Sequence, residues 1–312
     1  MGTIQTVLGP IKPDVLGIAD IHEHLICSPP SPWRDQDPDL VLDDYQKATE
    51  ELQSFKDSGG SALVEWSTLD YGRDVLTLQC LSIQTGVHIV AATGYLKGRY
   101  CAPFVAEKSI ANLVDLLVDE LTEGVGDRGV RPGVIKAGSG PGSMNAEDEK
   151  ILRAAARAHH RTGVPIVTHT ETGTEGLEQL SLLREEGVNA SRVIVGHVDR
   201  NLDLASLLSL AETGAYLAFD SVGKEKYGSD KTRICLIRKL LDGGFGHQIL
   251  LGSDLGRRSY WVTHGGNPGL AYLLSQFVPW MKIEGIPHSA IQDILVNNPR
   301  EALQIRRREA WM

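Results

Sequence analysis

At 312 residues, 42% apolar and 23% charged, the chain can bury a sizeable core and amounts to one large domain or two ordinary ones. Its formal charge of −9 argues against a nucleic-acid partner, which needs a basic face. No apolar run of about 18 residues occurs, and the opening MGTIQTVLGPIKPD lacks the basic and apolar regions of a signal peptide, so a cytoplasmic location with no membrane partner is expected.

Beyond a lead-in over residues 1–14, short β-branched runs recur along the chain. They are VLGIADIH (15–22), GSALVEWS (60–67), VHIVAATG (87–94), PGVIKAG (132–138), VPIVTHT (164–170), SRVIVGHV (191–198), GAYLAFD (214–220) and HQILLGSD (247–254). Charged, helix-like segments separate most of them. DDYQKATEELQSFKDSG has an Asp start and a Gly stop, and AEDEKILRAAARAHHRTG and GTEGLEQLSLLREEG also end in Gly, a common helix terminator. Strand–helix alternation predicts parallel strands joined by crossover helices. Eight such units without a change of composition predict an α/β fold, a (β/α)8 TIM barrel, as a single domain over 1–312. An open doubly wound sheet is the structural alternative.

In such barrels the carboxyl ends of the strands form the active face. Here those ends are polar: His22 and His24, Glu65, Thr93, Lys136, His169, His197, Asp220 and Asp254. Residues two apart on a strand point the same way, so His22 and His24 are expected to face the barrel mouth together while Glu23 faces away. Two imidazoles so placed suit a divalent ion such as zinc. Each member also has a plain reading. A lone histidine is commonly a hydrogen-bonded core residue, and Asp254 in LLGSDLG can cap the next helix. Lys136 ends an apolar strand, where an unpaired ammonium is costly; it either reaches a carboxylate or the surface, or reacts with carbon dioxide to form a carbamate. A carbamate replaces a cation with an anionic ligand able to bridge two metals, which removes the repulsion between an ammonium and the ions. Together these ligand types fall on the first, fourth, fifth, sixth and eighth strands.

From TVLGPI…HEHL to ILVNNPREAL, the chain resembles the phosphotriesterase family of the amidohydrolase superfamily, metal-dependent (β/α)8 hydrolases. The resemblance rests on ATGY, IKAGSG, TGVPIVTHT, GLEQLSLLREEGV, RVIVGHVDRN and LGSDLGRRSYW. It implies that His22, His24 and Asp254 bind one divalent ion, His169 and His197 another, and carboxylated Lys136 bridges them. Zinc leads, with Mn and Co as alternatives. It also implies hydrolysis by a metal-bridging hydroxide, with Asp254 as proton acceptor and donor. Tyr95 matches an aromatic that lies beside the hydroxide in lactonase-like members; a packed rim aromatic is the plain alternative.

The substrate must be read from loops. SVGKEKYGSDKTR after the seventh strand brings Lys224, Lys226, Tyr227 and Arg233, and DLGRRSYW after the eighth brings Arg257. Barrels often bind phosphate there, and the stretch looks like the subgroup related to sugar-lactone-phosphate hydrolases. The contact residues implied are Lys224 or Lys226, Tyr227, Arg233 and Arg257; a solvated charged loop is the plain alternative. Lys97 and Arg99 add further anion contacts or simple surface charge. The expectation is a dinuclear metal lactonase opening a small anionic, phosphorylated sugar lactone. The alternatives are organophosphate triester or acyl-homoserine lactone hydrolysis, and a ligand-binding barrel without chemistry. A homodimer is left open by the resemblance, and the apolar stretch 271–285 reads as a partner-facing or core helix.

Overall fold

The computed structural model describes residues 2–306. An antiparallel hairpin comes first, β1 (Ile4–Thr6) and β2 (Gly9–Ile11). Thr6 closes its turn, accepting from the Leu8 N–H at 3.2 Å and donating to the Gly9 carbonyl at 2.8 Å. The predicted lead-in is thus an ordered element, tied to the barrel through the Val7 N–H and the Ile89 carbonyl at 2.8 Å.

Eight strands follow: β3 (Ala19–Glu23), β4 (Ala62–Glu65), β5 (His88–Gly94), β6 (Val134–Gly138), β7 (Ile166–His169), β8 (Val193–Val195), β9 (Tyr216–Phe219) and β10 (Ile249–Leu251). They pair in chain order, every pair parallel. The Asp254 N–H donates to the His22 carbonyl at 2.9 Å, joining the end of the last strand to the first. The result is a (β/α)8 barrel in one domain.

Alternation divides each strand between two cores. Ile21, Val64, Val90, Val134, Val167, Ile194, Ala218 and Leu250 fill the barrel interior with Trp66. The intervening residues, such as Ile135, Ile166, Leu217 and Ile249, pack outward among the helices. Those helices begin and end where the chain chemistry requires. Asp44 caps Tyr45–Asp57 by accepting from the Lys47 N–H. Asn145 and Asp148 form a reciprocal capping box on Ala146–Thr162, which Gly163 ends at φ 76°, a left-handed turn that glycine adopts without a Cβ clash. The stretch 271–285 is a core element: Leu273, Phe277, Val278 and Met281 are buried. Among the described residues no helix is long and apolar enough to cross a membrane.

Candidate metal centre and active site

His22 and His24 reach the barrel mouth together, though not by the regular alternation expected. Ile21 belongs to the interior, so strict alternation would aim His22 outward. The β3–β4 register slips between Asp20 and Glu23, and His22 turns inward to stack on Trp66 at 3.6 Å between ring centroids. Local irregularity of this kind commonly re-aims side chains beside active sites. Glu23 does turn away, accepting from the Leu255 N–H at 2.8 Å.

Each imidazole is held by the nitrogen remote from the centre. His22 Nδ1 lies 2.7 Å from Asp220 Oδ2, and His197 Nδ1 lies 2.7 Å from Asp220 Oδ1. A carboxylate only accepts, so both rings carry their proton on Nδ1 and present an Nε2 lone pair. His24 is held likewise: Ser67 Oγ donates to Glu65 Oε1 at 2.6 Å and therefore accepts from His24 Nδ1 at 2.7 Å. Asp220 thus stands behind the rings as an orienting group, the role such carboxylates play behind metal-ligating histidines.

The ring nitrogens opposite these supports face inward. His22 Nε2 is buried and has no hydrogen-bond partner. Asp254 Oδ1 lies 3.5 Å from that atom and 3.3 Å from His24 Nε2. On the other side His169 Nδ1 lies 3.0 Å from His197 Nε2, ring edge to ring face. Burial holds His22, His169 and His197 well below the ordinary histidine pKa, so they stay neutral as ligands must. Burial alone would raise Asp254, but the Lys224 ammonium beside it brings it well below the carboxylate range. Converging imidazoles and an ionised carboxylate, His22, His24 and Asp254, form a group that fits a divalent cation. His197 and Asp254 are also the two non-glycine residues among those described with positive φ, 58° and 49°. Such strain persists where surrounding structure enforces it and gathers at functional sites.

Lys136 lies on the same face of β6 as Val134, inside the barrel and 1% exposed. Its Nζ is 5.0 Å from the Trp66 ring centroid, and no hydrogen bond or ion pair to it occurs among the described residues. Burial lowers its pKa to about 8, despite the opposing pull of Asp254 and Glu65.

All six expected ligands line one cavity of about 340 Å3. Lys224, Lys226, Tyr227 and Arg257 line it too, with Lys97, Arg99, Arg200 and Tyr260. Lys224 Nζ donates to Asp254 Oδ2 at 2.7 Å, and Arg200 to the same oxygen at 3.0 Å. Lys226 Nζ lies 4.7 Å and 5.3 Å from the Tyr227 and Tyr260 ring centroids. Arg257 is held through Nη1 by Asp37 at 2.8 Å.

Two expected site residues are elsewhere. Arg233 is fully buried, its guanidinium taken up by Asp199 Oδ2 at 2.7 Å and Asp230 Oδ1 at 3.0 Å; it anchors the loop after β9 and does not line the cavity. Tyr95 turns outward to pack with Cys101 and Leu113, where burial raises its pKa to about 12. The chain bends at Gly94, φ 103°, where a Cβ would meet the Lys136 carbonyl oxygen at 2.0 Å, and Leu96 and Lys97 take the cavity side. Sequence reasoning overlooked Arg200, Tyr260 and Glu171. Tyr260 follows Arg257 by three residues and Arg200 follows His197 by three, a spacing that keeps residues on one short turn.

This fold and site place the chain among the barrel hydrolases. A model of the phosphotriesterase family matches residues 2–303, and the chain belongs to that family, within the amidohydrolase superfamily. The solved structure of a lactonase from Listeria monocytogenes superposes with a TM-score of 0.93 at 34% identity, covering 98% of this chain and 100% of that one. A phospho-furanose lactonase from Mycoplasmopsis synoviae (strain 53) is 33% identical over 96% of this chain and 91% of its own length. An N-acetyltaurine hydrolase from Bos taurus is 32% identical over 98% of this chain and 99% of its own.

Proposed function

We propose that this hydrolase is a dinuclear metal-dependent lactonase that opens a small anionic lactone, a phosphorylated sugar lactone foremost. The observation that carries this reading is the cationic wall of Lys224, Lys226, Arg200 and Arg257, with Tyr227 and Tyr260, in the same cavity as the histidines and Asp254. In a chain of net charge −9 cations gathered on one cavity wall suit a bound anion. The relatives named for lactonase and phospho-furanose lactonase activity point the same way.

His22, His24 and Asp254 would hold one divalent ion, His169 and His197 the other, and carboxylated Lys136 would bridge them. Zinc is the first expectation, since nitrogen and oxygen ligands of this kind suit it. Two such ions would supply a nucleophile from water near neutral pH and polarise the substrate carbonyl.

The chain's own residues do the rest. Lys136, held near a pKa of about 8, is partly the neutral amine at neutral pH. Its nitrogen lone pair bonds to the carbon of carbon dioxide and the nitrogen loses a proton, giving the carbamate. Asp254, kept ionised, accepts the proton of the attacking water and returns it to the ring oxygen as the acyl–oxygen bond breaks. The cationic wall holds the anionic substituent, so the carbonyl is presented at one position.

A second reading is hydrolysis of an N-acylated sulfonate, favoured by the N-acetyltaurine hydrolase likeness and by the same anion wall. The test is initial rates, with metal-analysed protein, on phosphorylated and plain sugar lactones, an acyl-homoserine lactone, an organophosphate triester and N-acetyltaurine. Preference for the phosphorylated lactone supports the first reading. Preference for N-acetyltaurine replaces it with the second, and preference for a neutral ester removes the anion pocket.

A further inference from the structure

We propose that Glu171 is a positioning residue that makes His169 a ligand through Nδ1, with Lys97 favouring the opposite tautomer. This rests on the reading that the centre holds divalent ions. A neutral imidazole has one N–H and one lone pair. For His169 to offer Nδ1 beside His197 Nε2, its proton must sit on Nε2, and Nε2 then needs an acceptor. Glu171 Oε2 is that acceptor, 3.0 Å away.

Lys97 Nζ lies 3.0 Å from the same Nε2, and an ammonium only donates. A hydrogen bond from Lys97 moves the imidazole proton to Nδ1, where it points at His197 Nε2 and closes the ligand position. His197 has no such freedom. Its Nδ1 and its backbone N–H are both bound to Asp220, so its Nε2 always carries the lone pair. One ligand of this pair is therefore fixed and the other has two states.

Lys97 is itself paired with Glu171. In the ligand state of His169 the ring proton is on Nε2 and donates to Glu171, Nδ1 carries the lone pair, and Lys97 stays paired with Glu171. The carboxylate then raises the basicity of the ligand, as outer carboxylates do. The Glu171 side chain is 33% exposed, so its replacement leaves the packed core untouched.

The experiment is a competition titration of zinc into metal-free protein with a chromophoric chelator, alongside elemental analysis after dialysis and a thermal melt. Wild type should hold about two ions per chain. Glu171→Ala should weaken the second ion about 10- to 100-fold, the usual effect of losing such a partner, and leave the first unchanged. Glu171→Gln, whose carbonyl still accepts from Nε2, should recover most of the loss. Lys97→Met should bind the second ion at least as tightly as wild type. Equal second-ion affinity in Glu171→Ala and wild type would overturn the proposal, as would weakening of Lys97→Met to the level of Glu171→Ala. Wild-type protein that binds no ion would instead overturn the metal reading beneath it.

Discussion

His169 Nδ1 faces His197 Nε2 at 3.0 Å, edge of one ring to face of the other. The two rings come from different strand ends, and each is held from behind by a carboxylate, Glu171 for one and Asp220 for the other. In the proposed reading these two nitrogens hold one of the two ions, and the predictions below follow from the groups that aim them.

Asp220 is the shared support, because it orients His22 and His197, which the proposed reading assigns to the two different ions. Asp220→Asn replaces one acceptor oxygen with a donor and cannot hold both rings. Elemental analysis and zinc titration should find both ions bound about 10- to 100-fold more weakly. Loss confined to one ion would mean that one ring needs no carboxylate.

Carbamate formation requires the neutral Lys136 amine. With a pKa of about 8, the neutral fraction rises roughly tenfold per pH unit below that value and levels off above it. Metal-free protein reloaded with zinc at fixed dissolved carbon dioxide should therefore regain activity faster as pH rises toward about 8, with a plateau beyond. An ordinary lysine would keep accelerating to about 10.4. Lys136→Met should abolish the dependence on carbon dioxide.

The anion wall should be separable from the chemistry. Lys226→Met removes a mostly solvent-facing charge, whose contribution is screened, so KM for a phosphorylated lactone should rise up to about tenfold at little change in kcat. KM for the unphosphorylated lactone should stay as it was. Equal changes for both substrates would assign Lys226 to the loop and not to the anion.

Arg233 gives the opposite signature. It is buried between Asp199 and Asp230, and Asp199 also accepts from the backbone N–H groups of Asp220 and Ser221. Arg233→Met leaves buried carboxylates uncompensated, which costs about 3–5 kcal/mol. Urea unfolding should detect that loss. A folded, stable Arg233→Met protein with only a raised KM would return Arg233 to the substrate.

The eight strands and their polar ends were legible because β-branched runs ending in His, Lys or Asp carry both the period and the chemistry. What alternation could not convey is how a strand end bends. His22 faces the centre because the β3 register slips, and His197 and Asp254 because their backbones enter the left-handed region. Tyr95 shows the reverse, turned outward by the bend at Gly94. Charge in a loop was equally ambiguous: Lys226 and Arg233 sit in one segment, yet one faces the cavity and the other is consumed inside the loop. Such outcomes depend on partners distant in sequence, as Asp199 is from Arg233.

The most direct test of the account is the ratio of kcat/KM for one sugar lactone with and without its phosphate, measured on protein of known metal content. The account predicts about two ions per chain and a ratio well above about tenfold, more than one lost charge contact supplies. A ratio near one in fully metallated protein would contradict it.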